Sequence, residues 1–425
     1  MSTLKVNKLR DTAGSADAIT LDPNGGAVLA GVTTVTSVKV GAAVTISESG
    51  IEASGIGITC ANINGTQIGG RRNIIINGAM LMAQRGTSST TQSGYGSVDR
   101  MSVYQANTSA TITSSQVDVA SGTPAYQSGF RKAIQITKGA GTAATNSQIN
   151  LSYQIEAQDI ANSGWDYTNP NSFLTFSFWV KTSVANHNPQ VAFIDMDSSQ
   201  GGSKNYQFEV PTLTANTWTK IIHSIPGHAD QVYDNNNAVG IHFYIYPWLG
   251  TDFTDNSNTM NAWSSFGTKD IDTTWLTTNN STFQVTGMQL EVGSQATPFE
   301  HRSPAEELSL CQRYYQVLGK GANKYWGGTA CNYTATQLYL PIQFKTQMRS
   351  TPTLVFTTGT AYYQIYDSVN TGGVNVTRPT DIRYADELGG SIHIGASYVS
   401  GLTAGDASLF YAYNSDAFIA VEAEL

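Results

Sequence analysis

The stretch of sequence that decides the fold is FLTFSFWVK, residues 173–181. In it the apolar residues Leu174, Phe176, Phe178 and Val180 occur at every second position. Successive side chains of a β-strand point to opposite faces of the sheet, so these four would share one face. We therefore predict a strand that buries this face in the core of a β-protein.

The same alternation recurs along residues 73–302. It is clear in INLSYQI at residues 149–155, and again at Val239, Ile241, Phe243 and Ile245. The links between these runs are rich in Asn, Gly and Ser, and no convincing helical pattern interrupts them. Strands at such intervals are typical of antiparallel sandwiches. We predict a mainly β protein with a β-sandwich at residues 73–302.

A helix is predicted immediately after the sandwich. Ser303 and Glu306 have the spacing of a capping box, with Pro304 at the first helical position. The apolar stripe that follows consists of Leu308, Cys311, Tyr315 and Leu318, and Gly319 would close the helix. This pattern predicts a linking helix at residues 303–319, followed by a small C-terminal β-domain at residues 320–425.

The first aromatic residue of the chain is Tyr95. Before it, residues 19–72 contain short apolar segments, such as the one from Val38 to Val40, and glycines separate them. One copy could not bury these rows, whereas several intertwined copies could. We predict a thin trimeric β-shaft at residues 19–72, with disorder as the alternative. Residues 1–18 are interpreted as an anchoring segment, with a disordered tail as the alternative.

The composition disfavours several classes of function. The net charge is −8 and charged residues make up only 13% of the chain, which argues against nucleic-acid binding. No apolar run approaches the ~18 residues of a membrane span, and the N-terminus lacks the apolar core of a signal peptide. The three cysteines and six histidines show no zinc-binding spacing. We therefore predict no cofactor, no membrane insertion and no nucleic-acid partner.

Catalytic motifs are absent from the sequence as well. It has no GxSxG, no P-loop and no dinucleotide-binding glycine motif. Two carboxylate pairs, Asp195 with Asp197 and Asp270 with Asp272, could serve a polysaccharide hydrolase or a Ca²⁺ ion, or could lie on solvated strand edges. A structural Ca²⁺ has no further support. We predict that the protein is not an enzyme.

Aromatic residues among polar ones are the better candidates for a function. A long polar loop contains Trp248, Trp263 and Trp275, whose rings could stack on sugars or could plug the sandwich. The C-terminal domain combines tyrosines with Ser, Gly and Asn, a composition of recognition surfaces. The predicted receptor- or glycan-binding residues there are Tyr325, Trp326, Tyr333, Tyr362, Tyr363, Tyr366 and Tyr384. Of the adjacent Tyr362 and Tyr363, one should point outward.

A set of motifs from residue 73 to the end resembles one protein family. The set comprises NIIINGAM at 73–80, AQRGT at 83–87, GYGSVDR at 94–100, GMQLEVG at 287–293, ATPFE at 296–300, EELSLCQRYYQ at 306–316, MRSTPT at 348–353 and AEL at 423–425. Together they resemble bacteriophage tail-fibre proteins whose jelly-roll domain is similar to carbohydrate-binding modules. The opening LKVNKL at 4–9 resembles fibre N-termini of marine phages.

The resemblance implies a function and an assembly. The protein would be a homotrimeric tail fibre of the virion, assembled in the host cytoplasm and joined through residues 1–18 to a tail adaptor or baseplate protein. Its C-terminal domain would be the tip that attaches to a host-surface glycan, lipopolysaccharide or another receptor. The alternatives are a polysaccharide-degrading tailspike that uses the carboxylate pairs, and a capsid-attached fibre or decoration protein.

Overall fold

The structure is a computed structural model that describes residues 72–90, 93–197 and 204–425, together with the backbone of eight short strands between residues 8 and 67. The chain divides into two compact units, residues 1–61 and residues 62–425. Apart from the short strands, the predicted anchor at 1–18 and shaft at 19–72 lie outside the described residues. The trimeric shaft therefore stays a prediction.

The short strands pair within the chain as antiparallel hairpins. β1, β2 and β3 form one three-stranded sheet, β4, β5 and β6 form another, and β7 pairs with β8. Their bounds are β1 (Lys8–Leu9), β2 (Ile19–Leu21), β3 (Ala27–Leu29), β4 (Ser37–Val40), β5 (Val44–Ser47), β6 (Gly50–Ala53), β7 (Asn62–Ile63) and β8 (Thr66–Gln67).

Two antiparallel sheets then form the predicted β-sandwich. The strands are β9 (Ser88–Ser89), β10 (Ser93–Tyr95), β11 (Ser102–Thr108), β12 (Ile112–Asp118), β13 (Lys132–Lys138), β14 (Ala143–Glu156), β15 (Phe173–Thr182), β16 (Gln190–Asp195), β17 (Asn205–Glu209), β18 (Thr219–Pro226), β19 (Val239–Leu249), β20 (Trp263–Ser264) and β21 (Ser281–Val292). One sheet has the order β10-β11-β14-β19-β16-β17-β20, and the other β18-β15-β21-β13-β12-β9. Three short helices lie in the connections, α1 (Pro124–Gln127), α2 (Ala157–Ala161) and α3 (Thr274–Thr277).

The core of the sandwich lies between these two sheets. The four residues of β15 that alternate in the sequence, Leu174, Phe176, Phe178 and Val180, are all buried in it. Phe176 packs on Phe243 of the opposite sheet with ring centroids 5.0 Å apart. The prediction of a mainly β chain with a sandwich is confirmed.

The motif at residues 73–80 holds the start of the sandwich against β21. Asn73 donates from Nδ2 to the Met288 carbonyl at 3.1 Å, and its Oδ1 accepts from the Leu290 backbone N–H at 3.1 Å. A Cβ on Gly78 would lie 2.1 Å from the Met288 oxygen, so only glycine fits there. The residues before β9 are thereby held against β21.

The linking helix is shorter than the sequence predicts. α4 (Pro304–Gln312) begins as expected, with the Ser303 hydroxyl accepting from the Glu306 N–H at 3.3 Å. The prediction that it continues to Gly319 is wrong, because residues 315–320 form a strand that pairs with the chain's last strand. Tyr315 is the first residue of this strand and is paired with Glu422, so it does not continue the helical stripe.

The C-terminal domain is a second, smaller β-structure with its own core. Its strands are β22 (Tyr315–Lys320), β23 (Lys324–Tyr325), β24 (Ala330–Thr334), β25 (Gln337–Gln343), β26 (Thr353–Phe356), β27 (Tyr363–Tyr366), β28 (Val374–Val376), β29 (Asp381–Arg383), β30 (Gly389–Ile394), β31 (Ala407–Ala412) and β32 (Phe418–Glu422). A three-stranded sheet, β22-β32-β26, packs on a larger one of order β28-β27-β31-β24-β25-β30-β29, in which β23 also pairs with β31.

Buried ion pairs join the sandwich to the C-terminal domain. The guanidinium of Arg100 bonds the carboxylate of Glu424 and lies 3.5 Å above the ring of Tyr314. Arg313 donates two hydrogen bonds of 2.8 Å to Glu156, which is buried in the sandwich. Burial raises the pKa of the Glu156 carboxyl, but hydrogen bonds from Arg313, Tyr314 and Gln158 outweigh it and leave that pKa below the usual range. The two β-structures therefore form one unit, residues 62–425.

Candidate functional site

A polar cleft lies on the outer face of the seven-stranded sheet of the sandwich. Its volume is about 450 Å³. We call it the sheet cleft; its lining consists of Ser93, Gly94, Tyr95, Ser102, Tyr104, Gln148, Asn150, Ser152, Gln154, His242, Tyr244 and Leu425. No acidic or basic side chain other than histidine is among these residues.

Strand alternation and register place these side chains together. β14 buries Ile149, Leu151 and Tyr153 in the core, so the residues between them point to the other face of the sheet. The register then sets Tyr104 of β11 opposite Asn150, and His242 of β19 opposite Gln154. Polar side chains from three neighbouring strands form the floor of the cleft.

An aromatic line runs along β19 at one side of the cleft. The rings of His242 and Tyr244 are 4.0 Å apart, and Tyr244 stacks on Tyr246 at 5.6 Å with an angle of 15°. Phe266 extends the line, 6.2 Å from Tyr246. Alternate residues of one strand share a face, which is why three aromatic side chains line up. Tyr246 is buried, so within this line it is the partly exposed rings of His242 and Tyr244 that face the cleft and suit stacking with the apolar face of a ligand.

His242 is a neutral hydrogen-bond donor in this cleft. Its Nδ1 accepts from the Tyr244 hydroxyl at 2.7 Å and from the Gln154 amide at 3.2 Å. The proton of the neutral ring is therefore on Nε2. Burial lowers the pKa of His242 to about 4, because the charged ring would lose its hydration, so the ring is uncharged at neutral pH.

Several polar atoms at the floor of the cleft have no hydrogen-bond partner. Asn150 is only 1% exposed, and neither its Oδ1 nor its Nδ2 is hydrogen-bonded. Gln154 Oε1 and His242 Nε2 are also unpartnered. Each buried polar group without a partner costs about 1–3 kcal/mol, so folded proteins rarely keep several together. Donors and acceptors held in this way are completed by polar groups that enter the cleft, either water or the hydroxyls of a ligand.

The tryptophans predicted to bind sugar belong mostly to the core. Trp275 is fully buried and stacks on His187, with ring planes 4° apart and centroids at 5.9 Å. Trp248 is buried too, so neither ring has a face to offer a ligand. These two predictions are wrong, and the alternative that these tryptophans plug the sandwich is the one observed. Trp263 is half-buried, and its Nε1–H donates to the Pro226 carbonyl at 2.7 Å.

Two of the seven aromatic candidates in the C-terminal domain are also buried. Trp326 and Tyr363 lie in the core between its two sheets, and the Tyr363 hydroxyl donates to the Thr357 carbonyl at 2.8 Å. They cannot stack on a receptor. Tyr362 is half-buried, whereas Tyr363 is fully buried. One of these adjacent tyrosines therefore reaches the surface, as predicted. The remaining four, Tyr325, Tyr333, Tyr366 and Tyr384, all reach the surface.

The surface tyrosines fall into two groups on the C-terminal domain. Tyr333 and Tyr384 flank Tyr339, at 5.8 and 6.2 Å, beside the ion pair of Arg383 with Asp381. Tyr325 and Tyr366 flank Tyr411 instead, at 5.0 and 5.6 Å.

The carboxylate pairs have structural partners. Asp195 is buried, which raises its pKa to about 6, with a contribution from the neighbouring Asp197 charge. Asp270 accepts hydrogen bonds from Thr254 at 2.6 Å and from Asn256 at 2.7 Å, within the loop. Asp272 accepts from the Thr274 N–H at 2.8 Å at the start of α3. The absence of catalysis stays a prediction.

The described residues contain neither a cluster of metal ligands nor a membrane-spanning helix. Within residues 72–90, 93–197 and 204–425, no three His, Cys, Asp or Glu side chains are grouped as metal ligands. None of the helices in the part of the chain that the structure describes has the length and apolarity needed to cross a bilayer.

Sequence reasoning missed the sheet cleft although a signal was present. The alternation of residues 149–155 predicts a buried face from its apolar members, and it places the polar members Asn150, Ser152 and Gln154 on the opposite face. Amides and hydroxyls at every second position of a strand whose other face is core are exposed or line a site. That Tyr104 and His242 join them depends on the strand order and could not be read from the sequence.

No protein-family model and no curated protein matches the chain. Solved structures with similarity include a tailspike protein 4 enzymatically active domain of bacteriophage CBA120, at 10% identity and TM-score 0.28, covering 52% of this chain and 21% of that one. A family 11 carbohydrate-binding module of a Clostridium thermocellum cellulase has 14% identity and TM-score 0.25, covering 51% and 98%. A putative sugar binding protein from Bacteroides thetaiotaomicron has 12% identity and TM-score 0.26, and the match covers 52% of this chain and 99% of that one. Similarity this low carries no argument about function.

Proposed function

We propose that the protein is a glycan-binding adhesin whose sandwich holds a glycan in the sheet cleft. The observation that supports this most directly is Asn150, buried in the cleft floor with both amide atoms unpartnered. A sugar hydroxyl both donates and accepts, so one hydroxyl or two adjacent ones can satisfy such an amide. Gln154 Oε1 and His242 Nε2 offer a further acceptor and donor beside it.

The charge of the cleft favours a glycan over other polar ligands. Its lining contains hydroxyls, amides and aromatic rings and no Lys, Arg, Asp or Glu. A nucleic acid or an acidic peptide would leave its charges without partners there, which is costly. A glycan instead offers hydroxyls to the amides and a C–H face to the rings of Tyr104 and Tyr244. Binding of this kind would also persist in salt, which screens ion pairs.

The biological setting that we propose is a phage tail fibre. Residues 1–18 would anchor the fibre to a tail adaptor or baseplate protein, residues 19–72 would form a trimeric shaft, and the β-structures would face the host. A single site with a millimolar Kd contributes only about 4 kcal/mol. Three copies in one fibre would raise the attachment strength through effective concentration.

The test is glycan binding by the full chain and by Asn150→Ala. An array of neutral and acidic oligosaccharides identifies a ligand, and titration calorimetry then gives the Kd. We expect the variant to bind about tenfold more weakly, which corresponds to ~1.4 kcal/mol. Asn235→Ala, an exposed amide outside the cleft, serves as the control and should bind normally. Equal affinity of both variants would show that the cleft is not the site.

The same glycan separates an adhesin from a hydrolase. Prolonged incubation with the protein should leave it intact, so no new reducing ends should appear. Release of oligosaccharides would favour the tailspike alternative and would direct attention to Asp195 and Asp197.

A further inference from the structure

A row of tyrosine and amide side chains crosses four strands of the larger sheet in the C-terminal domain. The register sets Tyr325 of β23 opposite Tyr411 of β31, Tyr411 opposite Gln364 of β27, and Gln364 opposite Asn375 of β28. We propose that this row, with the neighbouring Tyr366, is a second glycan-binding site that takes a neutral glycan chain. We call it the tyrosine–amide row. It shares no residue with the sheet cleft, so either proposal can fail without the other.

The rings of the row are held in contact with one another. Tyr411 contacts Tyr325 and Tyr366 with ring centroids at 5.0 and 5.6 Å, and Tyr325 and Tyr366 are 6.3 Å apart, so the three tilted or edge-on rings form one cluster. Tyr325 is 58% exposed, whereas Tyr366 and Tyr411 are half-buried. Rings fixed in this way lose little entropy when a ligand stacks on them.

A hydrogen-bond chain fixes the polar atoms of the row. The Tyr366 hydroxyl donates to Gln364 Oε1 at 2.8 Å, and Gln364 Nε2 donates to Asn375 Oδ1 at 2.9 Å. On the other side the Tyr411 hydroxyl donates to Asn323 Oδ1 at 2.7 Å. Each chain ends on an amide oxygen, so the amide NH₂ groups of Asn375 and Asn323 are not used within it. They are donors suited to sugar hydroxyls.

The backbone beneath the row also has a defined shape. Gly373 has φ +79°, and a Cβ added there would lie 2.9 Å from Cζ of Tyr366 and 3.2 Å from Cδ of Gln364. Any side chain at this position would displace both residues. The chain thus approaches the row closely at a glycine, which has no side chain to obstruct it.

Charge decides the class of ligand. The side chains of the row are all uncharged, whereas the second tyrosine group on this domain, around Tyr339, includes Arg383 and Asp381. A sulfated, phosphorylated or uronic-acid glycan would bring charge to a row that has no cation to pair with it. A neutral glycan needs only rings and amides. A second copy of the chain is the competing occupant, and it would bury the exposed rings in a dimer.

The experiment examines the row in a chain whose cleft binding is weakened. Full-length chain with Asn150→Leu is applied to an array of neutral gluco-, galacto- and manno-oligosaccharides beside uronic-acid oligomers. We expect residual binding to a neutral oligomer and none to the uronic acids. Adding Tyr411→Ala should weaken that residual binding at least tenfold. Gln364→Glu, nearly equal in size but charged, should do the same, and it guards against misfolding of the alanine variant. Residual binding that Tyr411→Ala leaves unchanged would belong to the cleft and would overturn the proposal.

The matched control is Tyr333→Ala, a tyrosine 67% exposed in the other group. It should leave the residual binding unchanged. The proposal is overturned if the Asn150→Leu chain binds no neutral oligomer at millimolar concentration, or if Tyr333→Ala weakens binding as much as Tyr411→Ala. Sedimentation that shows a dimer abolished by Tyr411→Ala, without glycan binding, would overturn it in favour of self-association.

Discussion

The sheet cleft and the tyrosine–amide row use the free face of a β-sheet in opposite ways. In the cleft, Asn150 is buried with both amide atoms unpartnered, so the folded chain keeps donors and acceptors that it does not satisfy itself. In the row, Gln364 is bonded on both sides, to Tyr366 and Asn375. A buried polar group needs a partner because water is excluded, whereas an exposed one is satisfied by solvent. The cleft therefore depends on a ligand or water for completion, and the row is complete in its absence.

Both faces belong to one unit because the ion pairs between the sandwich and the C-terminal domain are buried. The two β-structures are held together at Arg100, whose guanidinium lies between Glu424 and the backbone carbonyl of Gln154. Gln154 also lines the cleft. Substitutions at this junction should therefore affect both faces together, whereas substitutions within one face should affect that face alone.

The largest effect is expected for Arg100→Met. Removing one partner of a buried ion pair leaves the other charge poorly compensated, although Glu424 would keep its pair with Arg85 at 3.2 Å. We expect the free energy of unfolding to fall by about 3–5 kcal/mol, and both faces to lose binding together on mild heating. Guanidinium denaturation measures the loss. The control is Lys132→Met, which removes an exposed pair with Asp118 and should cost less than about 1 kcal/mol. Comparable losses in the two variants would contradict a buried junction.

Asn150→Leu should separate binding from stability. Leucine has a similar volume and no polar atoms, so it removes two unpartnered groups while keeping the packing. We expect glycan binding in the cleft to weaken about tenfold, and the free energy of unfolding to stay equal or to rise by up to ~1 kcal/mol. Calorimetry and urea denaturation measure the two quantities. A marked loss of stability would mean that Asn150 has partners in the folded chain.

Gln364→Leu is the matched change in the row. It should lower the free energy of unfolding, whereas Asn150→Leu should leave it equal or raise it. The variant deprives the Tyr366 hydroxyl and Asn375 of their bonds, which lie close to solvent. We expect a loss of about 0.5–1.5 kcal/mol in the free energy of unfolding. Urea denaturation of both leucine variants side by side gives the contrast. If both changes shift stability in the same direction, the distinction between an unsatisfied and a satisfied face fails.

The smallest effect is expected when the pH of the binding experiment is changed. Because burial lowers the pKa of His242 to about 4, the ring is neutral from pH 5.5 to 8, and cleft binding should be constant over that range. The lowered pKa means that the stability contribution of His242 is complete above pH 6.5 and is lost as the pH falls towards 4. The Kd measured between pH 5.5 and pH 8 should therefore show no titration midpoint. A transition near pH 6.5 would show an exposed, ordinary histidine.

The sandwich was predictable because its signal is local. Leu174, Phe176, Phe178 and Val180 are buried as their alternation predicts, and Ser303 caps α4 as its spacing with Glu306 predicts. The end of α4 was not predictable. The stripe that includes Tyr315 fits a helix by spacing, but pairing of β22 with β32 outweighs that local preference.

For the aromatic candidates, too, the sequence does not distinguish buried residues from exposed ones. Trp275 and Trp326 lie among polar and glycine neighbours, so their surroundings in the sequence suggest surface, yet both are buried. Tyr325 and Tyr384 have similar neighbours and are 58% and 86% exposed. What separates them is the packing of elements distant in the chain, such as His187 on Trp275. Composition alone cannot distinguish these cases.

The sequence by itself determined which residues share a face of a strand, where α4 begins and that a globular part follows an aromatic-free start. Each of these depends on contacts between residues a few positions apart, or on composition. Only the tertiary structure decided that Tyr104, Asn150 and His242 line one cleft, and that Tyr325, Tyr411 and Gln364 form one row. The physical reason is that alternation is a property of one strand, whereas order and register arise from hydrogen bonds between strands far apart in the chain.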